Sequence, residues 1–344
     1  MLRSGQRRIA PMPHVTSPGG QGWTPGRRDA ITDVPGIRVG HWTDRRAATG
    51  CTVILCETSV AAAVDVRGGA PGTRETEVLA PANVVRRCDA VVFTGGSAFG
   101  LAAATGVMRW CAEHDIGVPT TAGKVPIVSS AVIFDLAVGR PGSYPGEAEG
   151  YAAAVAARAG GVAQGSVGAG TGATVAKLLG NEGRLKGGVG TASITGPRGL
   201  IVGALAVVNA AGSIFDPDAG HLVAGPRDPD GRMVPLPEAM HRRTAQMDAL
   251  LENTTLVCVA TNARLEHGAL QRVAFQAHDG LARTVVPAHT MADGDVAFAV
   301  SMGQVETRPD DALTVGLMTV RAVELAILRG VRLARSVAGV PSLG

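Results

Sequence analysis

The stretch NTTLVCVATNARL, residues 253–265, follows a polar, charged segment and opens an apolar, β-branched run. The run from Thr254 to Ala263 predicts a buried strand, because short runs of Val, Leu and Thr favour extended backbone. The hydroxyl at the start of that strand could attack the carbonyl of Asn253 and cut the chain there. The freed Thr254 would then carry its hydroxyl beside an α-amine of ordinary pKa about 7.7–8.0, which can act as its base.

The remaining sequence mixes strand-like and helical patterns without a fixed-period repeat. Strands are predicted at 50–57, 61–69, 187–194, 200–209 and 296–303, and helices from the turn at Ser97 to about His114 and at 147–158, 173–179 and 310–331. Ser97 is expected to cap the first helix. Residues 215–238 are rich in Asp, Gly and Pro and predict a long polar loop. These patterns predict an α+β layered sandwich.

Composition narrows the classes of function. Hydrophobic residues make up 46% and charged residues 18% of the chain, which is typical of a folded enzyme. The net charge of +3 gives no nucleic-acid-binding signature, and no apolar run reaches the length of a membrane helix, so neither partner is expected. Five scattered cysteines argue against a disulfide framework. Residues 1–28 read as a disordered tail without a signal peptide, and a cytoplasmic location is expected.

Several stretches, taken together, carry a resemblance to a known family. They are ITDVPGIRVGHWTD, AAAVDVRGGAPGTRETE, VVFTGGSAFGLAAATGV, VGAGTGATVAKLLG, GGVGTAS, ALAVVNAAGS and NTTLVCVATNARL. In this order, from about Ile31 to Gly330, the chain resembles the DmpA-like L-aminopeptidase/D-esterases, a family that includes β-aminopeptidases and nylon-oligomer hydrolases. The resemblance implies a four-layer α/β/β/α sandwich, of the type shared with ornithine acetyltransferase. It also implies a single hydrolase domain, residues 29–344, cut into associated chains 1–253 and 254–344.

The resemblance also assigns the nucleophile. The family's serine or threonine begins a strand that ends in Ala-Thr-Asp/Asn, here Ala260-Thr261-Asn262, so the match falls on Thr254. The Asn-Thr junction is similar to that of the nylon-oligomer hydrolase branch. On the residues alone, a Thr pair at this position is more typical of an ordinary strand start.

Two further residues match active-site positions of the family. Lys177 in ATVAKLLG would keep the Thr254 amine neutral and stabilise developing negative charge. Asn209, at the end of LIVGALAVVN, would donate its side-chain amide to the oxyanion. Without the resemblance, Lys177 reads as a solvated helix lysine and Asn209 as a residue that satisfies a turn.

Two carboxylates and a tyrosine complete the predicted site. Asp293 and Asp295 in HTMADGDVAF match the Asp-x-Asp of the nylon-oligomer hydrolase branch and would orient and balance the charges of Thr254 and Lys177, although Asp-Gly-Asp is also an ordinary turn. Asp295 could move protons during self-cleavage. Tyr144 in GRPGSYPGE is a candidate substrate-binding residue, by its match to a tyrosine that lines the family's pocket.

Other signals are set aside. Ser97 lacks the glycine spacing of a nucleophile elbow, the glycine-rich loops lack phosphate-binding spacing, and the eight histidines form no metal motif. Cys258 reads as a core residue in the middle of a strand. No metal and no cofactor are expected.

The sequence therefore predicts a self-processing hydrolase of peptides or small amides that acts through an acyl-Thr254 intermediate. A homotetramer of cleaved heterodimers is expected from the family. Two alternatives stay open: an N-acyltransferase of the ornithine acetyltransferase type, and an uncut ligand-binding or assembly protein.

Overall fold

The computed structural model describes residues 22–244 and 253–343, and this part of the chain contains seventeen strands and five α-helices. The strands are β1 (Thr24–Pro25), β2 (Ile37–Asp44), β3 (Thr49–Val66), β4 (Thr73–Arg74), β5 (Arg87–Thr94), β6 (Val118–Thr120), β7 (Gly123–Val125), β8 (Val128–Val132), β9 (Thr174–Val175), β10 (Leu185–Lys186), β11 (Gly188–Thr195), β12 (Ile201–Asn209), β13 (Ser213–Asp216), β14 (His221–Ala224), β15 (Thr254–Ala263), β16 (Val285–Val286) and β17 (Val296–Val305). The helices are α1 (Ala103–Glu113), α2 (Glu147–Val155), α3 (Leu236–Thr244), α4 (His267–Thr284) and α5 (Asp311–Arg332).

One large mixed sheet organises these elements. Its strand order is β1-β11-β12-β15-β17-β3-β5-β8-β4, with β2 paired to β3. The first half of β3 pairs with β2 and β5, whereas its second half pairs with β17. Because β3 is eighteen residues long, it runs from one half of the sheet into the other. The sheet therefore has two halves that share one strand.

Three apolar clusters show how the two halves stack. One lies between α1, α2 and the β3–β5 half, a second lies between the two halves, and a third lies between the β12–β15–β17 half and helices α4 and α5. Successive side chains of β15 alternate between clusters: Leu256 and Cys258 face the middle cluster, and Val257 and Val259 face the helices. The order is helix, sheet, sheet, helix, which confirms the predicted α+β sandwich.

β15 lies at the centre of its half of the sheet. It pairs antiparallel with β12 and parallel with β17, and all ten of its residues are buried. A strand covered on both faces and on both edges needs apolar side chains at nearly every position. The unbroken run from Thr254 to Ala263 meets that need, and the predicted strand is confirmed to the residue.

The structure corrects two predictions of helix geometry. Residues 173–179 are not a helix, because Thr174–Val175 pairs with β10 and Ala176 has φ +62°, outside the helical region. Ser97 does not cap α1 through its side chain. It has φ +51° in a 3-10 turn, Ser97–Ala102, and its backbone N–H donates to the carbonyl of Ile133.

A predicted loop and part of the predicted N-terminal tail also contain more regular structure than expected. The polar segment 215–238 contains β14, which pairs with β13, and the start of α3. Within the predicted tail, residues 1–21 lie outside the described residues, but Thr24–Pro25 pairs with β11 and the Arg28 N–H donates to the Asp33 carboxylate. Part of the predicted tail, from Thr24 to Arg28, therefore forms hydrogen bonds with the rest of the chain.

Candidate active site

The Asn253–Thr254 junction lies at the entry to β15. The register of the sheet places Thr254 opposite Asn209 of β12, and Asn253 forms an isolated parallel bridge with Asp293. Both junction residues are buried, with 6% and 5% of their surface exposed. The sheet and the loop before β17 therefore enclose the predicted cleavage bond on two sides.

The carbonyl oxygen of Asn253 has two donors at short range. The Thr254 hydroxyl donates to it over 2.5 Å, and the backbone N–H of Gly294 donates to it over 2.7 Å. A fixed backbone N–H directed at a carbonyl oxygen is the kind of donor that stabilises a developing oxyanion. The geometry thus provides a hydroxyl beside a carbonyl and a donor that polarises that carbonyl.

The two predicted carboxylates frame the junction. Asp295 accepts the backbone N–H of Thr255 at 2.6 Å, and Asp293 accepts the backbone N–H and the hydroxyl of Thr290 at 2.8 and 2.6 Å. Burial raises the pKa of Asp293, and the charge of Asp295 raises it further, while the Thr290 hydrogen bonds and the Lys177 charge act in the opposite direction. Burial and a neighbouring like charge therefore bias Asp293 toward holding a proton.

The backbone around the pair Gly68-Gly69 packs closely against the loop that carries these carboxylates. The backbone N–H groups of Arg67 and Gly68 donate to the Asp295 carbonyl, and that of Ala70 donates to the Asp293 carbonyl. A Cβ on Gly68 would lie 2.3 Å from both the Asp293 oxygen and the Asp295 nitrogen. Glycine is therefore required for this close backbone approach. The sequence contains the Gly pair, but no local pattern gives it this role.

Lys177 and Asn209 lie together on the other side of the junction. Lys177 Nζ donates to the backbone oxygen and to Oδ1 of Asn209, at 3.1 and 3.2 Å. Asn209 Oδ1 also accepts the Thr174 N–H at 2.9 Å, and its Nδ2 donates to the Phe134 carbonyl at 3.3 Å. Asn209 pairs with Thr254 across the strands. The structure therefore brings the predicted catalytic residues and Asn253 into one buried cluster: Lys177, Asn209, Asn253, Thr254, Asp293 and Asp295.

Tyr144 has a different setting. It is 44% exposed, and its ring stacks on that of Phe99 with centroids 4.9 Å apart and planes 17° apart. Phe99 is itself 61% exposed. The two rings form an exposed aromatic face next to the Gly96 turn, where a Cβ would meet the Tyr144 side chain. Substrate contact by Tyr144 remains a prediction.

Sequence reasoning missed a second buried lysine and its acidic neighbour. Lys186 is fully buried, and its Nζ donates to the carbonyls of Thr171 and Ala173 at 2.8 and 2.5 Å. Asp135 accepts the Thr49 hydroxyl and the Gly96 N–H, both at 2.7 Å. No local spacing marks these residues, because their partners are distant in the chain.

Burial shifts both of these groups toward neutrality. It lowers the pKa of Lys186 to about 7 and raises that of Asp135 to about 6, and the attraction between the opposite charges resists both shifts. Lys186 fixes the loop that leads to Thr174, and Asp135 follows Phe134 in the chain. The two groups therefore anchor the segments that contact the Asn209 amide from either side.

Three other features would indicate a different function: a metal site, a membrane-spanning helix or a reactive cysteine. Residues 22–244 and 253–343 contain no group of three or more His, Cys, Asp or Glu side chains that could hold a metal ion. In the same ranges, no helix has both the length and the apolar character needed to cross a membrane. Cys258 is fully buried, and burial raises the pKa of its thiol, so it is a core residue.

Comparison with known proteins identifies the class. The fold matches the solved structure of the L-aminopeptidase D-Ala-esterase/amidase from Ochrobactrum anthropi, described as a variant of the Ntn hydrolase fold, with a TM-score of 0.71 and 23% identity over 92% of this chain and 90% of that one. An uncharacterized aminopeptidase of Mycobacterium tuberculosis is 45% identical over 340 residues, covering 91% of this chain and 96% of the relative. A 6-aminohexanoate-oligomer endohydrolase of Kocuria sp. is 30% identical over 307 residues, covering 88% and 83%.

These matches define a hydrolase of peptide and amide bonds with the Ntn hydrolase fold. The model of peptidase family S58 matches residues 29–342. The chain belongs to peptidase family S58, which confirms the resemblance to the DmpA-like enzymes.

Proposed function

We propose that this protein is a self-processing amidohydrolase that cuts its own chain between Asn253 and Thr254 and then uses Thr254 as its nucleophile. The observation that carries the proposal is the short contact of the Thr254 hydroxyl with the Asn253 carbonyl oxygen, which the Gly294 N–H also contacts. These groups lie in a buried site lined by carboxylates and a lysine, where fixed donors act more strongly than in water.

Self-cleavage would proceed as an N-to-O acyl shift. The Thr254 oxygen attacks the Asn253 carbonyl carbon, its proton leaves to a nearby base, and Gly294 N–H binds the oxyanion. The carbon–nitrogen bond then breaks, and the Thr254 nitrogen takes up a proton. Water hydrolyses the resulting ester, which leaves the Asn253 carboxylate and a free α-amine on Thr254. In this proposal Asp293 and Asp295 would transfer these protons.

The mature enzyme would repeat this chemistry on a substrate amide. The Thr254 α-amine accepts the hydroxyl proton as the oxygen attacks the substrate carbonyl, and the leaving amine departs with that proton. Water then releases the acyl group from Thr254. Lys177 would disfavour protonation of the α-amine and stabilise the oxyanion. Asn209 would add a donor by exchanging its Phe134 contact for the oxyanion.

The two chains would remain associated after cleavage. β15 and β17 come from the C-terminal chain, yet β15 pairs with β12 and β17 pairs with β3, both from the N-terminal chain. Helices α4 and α5 bury their apolar faces in the same cluster as β12. Breaking one peptide bond removes none of these contacts. Assembly of the cleaved heterodimers into a tetramer is part of the proposal and is testable by light scattering.

The substrate class follows from the relatives. An aminopeptidase and an endohydrolase of 6-aminohexanoate oligomers both match most of this chain. We infer that the substrate is a small peptide or an amide of an amino acid, bound with its acyl carbon at Thr254 and with Tyr144 at the edge of the site.

The decisive experiment is intact mass spectrometry of four purified proteins. Wild type should give two chains that end at Asn253 and begin at Thr254, and Thr254→Ser should do the same. Thr254→Ala should give one chain. Thr255→Val is the matched control, because it removes the neighbouring buried hydroxyl, which has no hydrogen-bond partner among the described residues. An uncut wild-type chain, or cutting in Thr254→Ala, would overturn the proposal.

A further inference from the structure

Both oxygens of the Asp295 carboxylate are engaged, one by the nucleophile strand and the other by His289. Oδ1 accepts the backbone N–H of Thr255 at 2.6 Å. Oδ2 lies 2.9 Å from both the backbone nitrogen and the ring Nδ1 of His289. We propose that His289 is a positioning residue that holds Asp295 against the strand of the nucleophile, an inference that rests on the self-processing function proposed above.

The hydrogen bonding fixes the ring of His289 as a donor at Nδ1. An ionised carboxylate only accepts hydrogen bonds, so the hydrogen must lie on Nδ1. The other nitrogen, Nε2, is buried and has no hydrogen-bond partner among the described residues. A hydrogen on Nε2 would be left unsatisfied, which carries a desolvation penalty. Nδ1 is therefore the ring nitrogen that donates to the Asp295 carboxylate.

A second histidine supports the ring from behind. His278 is fully buried and meets His289 edge to face, with centroids 4.7 Å apart. Burial lowers the pKa of His278 to about 4, so this ring is neutral at neutral pH, and its Nε2 donates to the Asp65 carbonyl at 3.0 Å. His278 is thus held in place by the end of β3. The His289 ring therefore packs against a fixed and uncharged ring.

The backbone of His289 explains why two donors reach one oxygen. Its φ of +56° lies in the left-handed region, and in this conformation both its backbone N–H and its ring Nδ1 reach Asp295 Oδ2. Asn, Asp and Gly tolerate this conformation best among the standard residues. His289→Asn therefore keeps the loop and an N–H donor at the δ position, whereas His289→Gly keeps the loop and removes only the side chain.

The first test measures the position of Asp295 in uncut protein, so that it does not depend on cleavage. In the full chain carrying Thr254→Ala, selective labelling with nitrogen-15 threonine reports the Thr255 amide. Its proton should resonate downfield, because it is bonded to a carboxylate. We expect His289→Gly to move this resonance upfield and His289→Asn to leave it near its original position.

The second test measures the rate at which newly refolded precursor becomes two chains. We expect His289→Gly to be slower by about tenfold or more, the scale of losing one hydrogen bond to a charged group, and His289→Asn to recover most of that loss. Should His289→Gly not fold, His289→Leu provides the comparison, because it branches at Cγ as Asn does, carries no charge and offers no donor.

The outcomes separate the two proposals. An unchanged Thr255 amide in His289→Gly, or equal behaviour of the Asn variant and the donor-less variants, would overturn the role of His289. An uncut wild-type chain would overturn self-processing, while the Thr255 resonance would still decide whether His289 holds Asp295. Rescue by Asn but not by Leu or Gly in both measurements establishes the positioning role, since simple space-filling would not distinguish Asn from Leu.

Discussion

Gly68→Ala tests whether the backbone contact with the aspartate loop controls self-cleavage. The added Cβ would lie 2.3 Å from the Asp293 carbonyl oxygen and the Asp295 nitrogen, whereas ordinary contact begins at 3.4 Å. Both opposing atoms belong to the backbone, so no side-chain rotation relieves the overlap. The loop must move by about 1 Å, and displacements of about 1 Å in catalytic geometry reduce rates by about 10²-fold.

The assay is the rate of conversion of refolded precursor into two chains, followed by intact mass. Gly160→Ala is the matched control, because a Cβ there meets no atom within 4 Å. We expect the control to process at the wild-type rate and Gly68→Ala to process about 10²-fold more slowly. Processing of Gly68→Ala at the wild-type rate, with unchanged stability, would refute the reasoning that this contact sets the position of Gly294 and the carboxylates.

Three further predictions address charge and burial. Lys177→Met should slow amide hydrolysis by about 10²-fold, as measured by kcat of the purified enzyme, because a cation beside the oxyanion is lost; an unchanged kcat contradicts its role. Burial lowers the pKa of Lys186 from 10.5 to about 7, so the unfolded chain binds more protons between these pH values and stability should rise with pH, by up to about 1.4 kcal/mol per unit. Urea unfolding at about pH 7.5 and pH 9.5 measures this slope, and Lys186→Met should reduce it; equal slopes would show that Lys186 does not titrate there. All five cysteines are buried and free, so a thiol reagent should label the native protein only as it unfolds, and rapid labelling at neutral pH would contradict that burial.

The sequence predicted those strands and helices whose residues carry a clear local pattern. The run from Thr254 to Ala263 is apolar and β-branched over the full length of β15, so its bounds could be read directly. The approximate positions of α1, α2 and α5 also follow from local patterns and their glycine ends. The four-layer order required the family resemblance, because no local pattern shows that β3 spans both halves of the sheet.

The site was predictable only as far as the family motifs reach. Those motifs led to Lys177, Asn209 and the two aspartates, which the structure brings together around the junction. The helix predicted around Lys177 was wrong, because pairing with the distant β10 and the positive φ of Ala176 override the local helical preference. Lys186 was missed because its charged neighbour, Asp135, is distant in the chain. His289 was missed because its contact with Asp295 depends on the turn between them.

Under the proposed self-processing, the position of Thr254 at the start of a fully buried strand would tie activation to the completion of folding. Gly294 meets the Asn253 carbonyl only when the loop before β17 is seated, and the hydroxyl points correctly only when β15 is in register with β12. A slip of one residue would turn the hydroxyl to the opposite face of the sheet. Under the proposed self-processing, the peptide bond at the junction would thus act as an internal checkpoint, because a misassembled copy would keep its nucleophile capped and would not become an active amidase.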